Sequence, residues 1–269
     1  MAEPPNADAW PAHVGAAAES AVASARFRPR GKDVSRIEAF FDAAFAFAVT
    51  LMVVSLQVPA TYDELVDTLR GVPAFAVCFL LLFQIWLAHY TFCRRYGLAD
   101  MTCIVLNCGL VFLLLVYIFP LKFLCLLTIE VLTGFGPRSS VPFYQRCPTD
   151  KLDNIFIIYG LGFALVWLLV AGLYWHAYRR RGELRLDAVE TCDTLESVTR
   201  FLGLALVGLI SCLLAAVFAG GRMVVIAGWA YALIGVIEFF VGWTFGRRRD
   251  RIRRAPIGAT NAEAAVAPS

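Results

Sequence analysis

The stretch Arg36-Ile-Glu-Ala-Phe-Phe-Asp42, followed without interruption by the apolar run 43–58, decides the fold. It sets an arginine, a glutamate and an aspartate at the head of a segment long enough to cross a membrane. A charged side chain at bilayer depth costs at least ~2.5–3.5 kcal/mol, so it persists only where it is paired or turned toward protein or water. The segment is therefore predicted to be a working helix rather than a passive anchor.

Five further apolar blocks follow, at 72–92, 101–119 with an extension to 128, 154–178, 201–220 and 223–245. About 20 residues rising ~1.5 Å each cover the ~30 Å of a bilayer core. The chain has 269 residues, of which 59% are apolar, and its mean hydropathy is +0.68. These values and the block pattern predict an all-α, polytopic membrane protein with six transmembrane helices. Six crossings leave both termini on one side. Eighteen lysines and arginines fall on that side, against five on the other, with Lys122 inside the third block. The positive-inside bias then assigns the termini to the cytoplasm. In this setting the basic run Arg247 to Arg254 reads as a stop-transfer flank, and no nucleic-acid partner is expected.

Between expected disordered cytoplasmic tails at 1–33 and 250–269 (the second basic at its start), residues 34–249 read as one membrane domain. The first 25 residues lack the continuous apolar core of a cleavable signal. Pro59 followed by Ala-Thr-Tyr-Asp-Glu-Leu-Val-Asp67 predicts a turn and a short amphipathic outer helix. The loop 130–153, rich in glycine and proline, reads as irregular. Pro120 should kink or end the third span, because it lacks a backbone donor and crowds the preceding turn. In the link 179–200, acidic residues recur every three to four positions, as in a solvated helix continuous with a span. Ala219-Gly-Gly-Arg222 predicts an antiparallel hairpin of the last two spans. The eight cysteines show no metal-ligand spacing and read as small packing residues, with Cys147 in an outer loop. No metal site or cofactor is predicted.

Enzyme chemistry finds no support. None of the H-E-x-x-H, G-x-S-x-G or G-x-x-x-x-G-K-[ST] patterns occurs, and there are only three histidines, His13, His89 and His176. On a wheel of ~100° per residue, Phe40, Ala43, Phe47, Leu51 and Val54 fall within about 40° of one line, with Thr50 at its edge. Glu38 and Asp42 lie on the other side and form an acidic face that needs a cation or donor. Arg36 of a neighbouring helix or subunit and His89 are candidates. Trp86 and His89 share a face of the second span. His89 is placed to donate to Asp42, with Trp86 closing the contact against water and Asn107 of the third span completing the network. Such groups either glue helices together or touch a ligand directly.

The residues Arg36-x-x-x-Phe40-x-Asp42, the Ala-rich run to Thr50-Leu51, and Leu56-Gln-Val-Pro59 resemble the prokaryotic relatives of the lysosomal potassium channel transmembrane protein 175. Trp86-Leu-Ala-His89, Asn107 and Pro120 fit the same pattern. The resemblance implies a six-span subunit in a prokaryotic inner membrane, a homotetramer, and a pore lined by the first helix of each subunit. It also implies conduction of potassium as permeant ion without a T-V-G-Y-G filter, a sequence absent here. The constriction of that family falls on Phe47 and the hydroxyl associated with ion selection on Thr50, with Leu51 and Val54 as neighbouring rings. Arg36, Phe40, Asp42, Trp86, His89 and Asn107 would form the supporting polar network. Two departures stand out: Phe41 replaces the usual serine, and Phe47 replaces an aliphatic constriction. Two other classes of function compete with the channel. One is a proton-coupled transporter or proton leak with His89, Asp42 and Glu38 as a relay; the other is a non-conducting membrane scaffold.

Overall fold

The computed structural model describes residues 27–54, 58–134, 151–219 and 226–254. These form helices α1 (Arg36–Val54), α2 (Tyr62–Arg70), α3 (Val72–Tyr96), α4 (Met101–Thr133), α5 (Leu152–Arg179), α6 (Ala188–Val217), α7 (Ile226–Trp229) and α8 (Leu233–Arg254). A 3-10 turn, Ala230–Ala232, joins the last two. No strand occurs among the described residues. Among the described residues, six helical runs are long and apolar enough to cross a membrane: α1, α3, α4, α5, α6 and the run Ile226–Arg253. The chain is a multi-pass helical membrane protein.

Local sequence explains where the helices begin and end. Ser35 accepts a hydrogen bond from the Glu38 amide at 3.2 Å and so caps α1. Thr61 caps the short outer helix α2, whose acidic first turn and closing Arg70 suit the helix dipole. Asp187 and Glu190 form a capping box that starts α6. Gly97 ends α3 with φ +60°, a conformation that favours glycine.

Three expectations are modified, the first only in part, since Pro120 was expected to kink or to end its span. Pro120 does not end its span, for α4 runs helically past it to Thr133. Neighbouring α5 is tied to this stretch: the Tyr159 hydroxyl donates to the Pro120 carbonyl and Tyr117 donates to the Tyr159 carbonyl at 3.0 Å. Proline inside a membrane helix removes one backbone donor without ending the helix when the surrounding packing holds it. The link before the fifth span is not simply solvated either. It continues directly into α6, with Glu190, Cys192, Thr194 and Val198 buried. Residues 27–33, assigned to a tail by composition, run along the bundle. The Arg30 and Gly31 amides both donate to the Arg94 carbonyl at 3.2 Å, and Phe27 packs against the core. The proposed hairpin turn, the outer loop with Cys147, and the outer parts of both tails lie wholly or largely outside the described residues.

The helices pack as a row. On one flank α1 lies against α4 and α3, and on the other α8 lies against α6. The α5–α6 contact is the most extensive. It depends on small residues: a Cβ on Gly208 would sit 2.6 Å from the Gly160 carbonyl oxygen, so only glycine permits this approach. The apolar windows of α4 and α5 are each 44% buried, whereas α1 reaches 22% and the last span 11%. Both flanking helices therefore leave most of their surface uncovered by the rest of the chain.

Candidate functional site

α1 carries the site, and a polar joint fixes its rotation. Glu38, 4% exposed, forms an ion pair with Arg94 of α3. One turn further along, Asp42 Oδ1 accepts from Trp86 Nε1 at 2.8 Å. Two acids spaced i, i+4 on α1 are thus met by two donors two turns apart on antiparallel α3. Between them, buried His89 Nε2 pairs with Asn107 Oδ1 of α4 at 2.6 Å. Phe41 stacks on the His89 ring, with centroids 3.7 Å apart and planes inclined by 17°.

The joint differs in several ways from its sequence expectation. Trp86, not His89, is the donor to Asp42, because the His89 ring is taken up by Asn107 and covered by Phe41. The cation that answers Glu38 is Arg94, which the sequence reading used only to set orientation; Arg36 itself is exposed. Phe40 takes no part in the joint and is 54% exposed. Arg94 was discoverable: alternating crossings place the end of the second span beside the start of the first.

The joint determines what α1 presents. Phe41, Ala48 and Met52 are buried with Glu38 on the protomer side. Ala43 and Thr50 are exposed, with Phe47 at 55% and Val54 at 70%, while Leu51 is half-buried. The expected stripe therefore faces away from its own protomer. Thr50 Oγ1 donates to the Ala46 carbonyl at 2.8 Å, which occupies its proton and leaves its lone pairs free to accept. A separate cavity of about 580 Å³ lies between α3, α5, α6 and α8, with Gln84, Trp167, Arg200 and Glu238 on its walls. No α1 residue lines it.

A second polar cluster lies at the arginine-rich end. Glu190 receives Arg30 in a bidentate contact, with Nη2–Oε2 at 2.6 Å, and also the Arg28 amide at 2.8 Å. In a separate group, Asp100, Cys103 and His176 bring one ligand atom each to within 4.8 Å of one another. Burial alone would raise the Asp100 carboxyl. The neighbouring Cys103 thiol, His176 and Arg180 together stabilise its anion and hold its pKa below the ordinary value. No spacing marks this group in the sequence, since His176 lies far along the chain from the other two.

Six apolar helices, the first pinned by a buried polar joint, define a helical membrane protein of a particular kind. Residues 36–120 match the family described as endosomal/lysosomal potassium channel TMEM175. The chain is 35% identical over 230 residues to a protein named potassium channel from Marivirga tractuosa, covering 84% of this chain and 93% of that protein. Its fold is similar to a crystal structure of a threonine-to-alanine variant of the potassium channel MtTMEM175 in complex with a nanobody–MBP fusion. That similarity has a TM-score of 0.73 and 34% identity over 82% of this chain and 97% of the other. The chain belongs to the TMEM175 family. Its relatives bear the names of channels, not of enzymes.

Proposed function

We infer that the chain is a potassium channel, and that its pore is formed where the first helices of several subunits, four in the simplest arrangement, meet on an axis. The observation that carries this reading is the orientation of α1. Its polar side is locked into the protomer, and its Phe47–Thr50–Val54 side is left uncovered. Phe47 supplies the constriction. A ring of phenyl groups excludes water unless it widens, and a dry gap sets a desolvation barrier for any ion. Potassium, held less tightly by water than sodium, crosses such a barrier more easily. Thr50, with its hydroxyl proton engaged by Ala46, offers oxygen lone pairs in place of lost water. No carbonyl-lined filter is required.

A relay reading gains nothing from the geometry, because His89 and Asp42 have separate partners. The test is potassium-versus-sodium flux from purified protein in liposomes, comparing the native chain with Thr50→Ala. Potassium preference that falls in Thr50→Ala while flux persists supports the reading. Absence of cation flux from the native chain, or unchanged preference in the variant, contradicts it.

A further inference from the structure

We propose that Asp100, Cys103 and His176 form a binding site for a single divalent ion of the zinc class, which staples the α3–α4 turn to the end of α5. Three donors of different chemistry converge from three places: the residue before α4, its first turn, and the last turn of α5. Asp100 Oδ2 is already occupied by His176 Nε2 at 2.8 Å and Arg180 at 3.4 Å. Its Oδ1 is buried and makes no well-formed hydrogen bond, and the Cys103 thiol is a further neighbour that interacts with the carboxylate. A metal would take the place of that poorly formed contact.

The donor set selects the ion. Magnesium and calcium take oxygen ligands, whereas a thiolate with an imidazole suits zinc. Zinc bonds of ~2.0–2.3 Å in a tetrahedron hold donors ~3.3–3.7 Å apart, so donors that already lie within 4.8 Å of one another need only small shifts to meet one ion. Binding releases the Cys103 proton to water as the Sγ–metal bond forms; His176 gives up its Nε2–Asp100 hydrogen bond and binds as the neutral imidazole with its proton on Nδ1. Asp100 then coordinates through Oδ1 and keeps Arg180 on Oδ2. Water completes the shell.

The experiment uses the full chain purified in detergent and stripped of metal, titrated with Co²⁺ as a spectroscopic probe and then with Zn²⁺. One Co²⁺ per chain is expected, with visible tetrahedral bands and a thiolate-to-cobalt band, both abolished by one equivalent of Zn²⁺. Cys103→Ser should remove the thiolate band and His176→Gln should abolish stoichiometric uptake. Cys93→Ser, at the separate buried contact with His89, should change neither. Size-exclusion profiles report folding, and His176→Gln at the partly exposed helix end decides the matter if Cys103→Ser misfolds. The proposal is overturned if the native chain takes up no stoichiometric cobalt. It is equally overturned if the bands survive in the folded variants.

Discussion

Glu38 is buried in the interior of the bundle, and its partner Arg94 is only partly exposed. Removing one member of such a pair costs more than the pair contributes, because the other charge is left without compensation. Glu38→Gln should therefore lower the thermal stability of the detergent-purified protein, toward the lower end of ~3–5 kcal/mol. The double replacement Glu38→Leu with Arg94→Leu should recover much of that loss, and a double variant as unstable as the single would contradict the pairing. Trp86→Phe keeps an aromatic ring but leaves Asp42 Oδ1 without its donor, at about 1–3 kcal/mol, read in the same melting experiment. At this scale the sequence named Asp42, Trp86, His89 and Asn107 but misassigned who meets whom. A helical wheel tells which face a residue shares, not which side chain reaches across. Phe41 was read as a lost hydroxyl, whereas its ring replaces that polar contact with stacking on His89.

Among the elements, α5 and α6 illustrate what periodicity leaves unread. Apolar blocks in the sequence located both, yet nothing in their spacing marked Gly160 and Gly208 as the point of closest approach. That contact needs the absence of two side chains at once, a property of the pair and not of either block. Gly208→Ala would push a methyl group against the Gly160 carbonyl and the Ala164 backbone. A loss of about 1–3 kcal/mol is expected for such overpacking, measured as a fall in melting temperature. An unchanged melting temperature would show that the helices are further apart than described. Pro120 was legible as a residue, but its consequence was not. Whether a proline ends a membrane helix depends on its surroundings, and only the fold shows α4 continuing through it.

Taken whole, the molecule is a row of helices with its most buried members in the middle and α1 at one edge. Six spans and the uncovered stripe were readable from hydropathy and a wheel, because bilayer thickness and the helical repeat are strong constraints, whereas α4 and α6 run well beyond their apolar blocks. The clusters at the arginine-rich end were not, since they join residues distant in sequence. In the proposed channel, this edge helix, held by charge on one side and bare on the other, meets copies of itself. If it does so around a conducting axis, Phe47 sets the narrowest point. Single-channel currents in planar bilayers, recorded in potassium and in sodium for the native chain and for Phe47→Ala, measure this directly. The account predicts larger unitary conductance and weaker potassium preference in Phe47→Ala; identical currents and identical ion preference in the two proteins would contradict it.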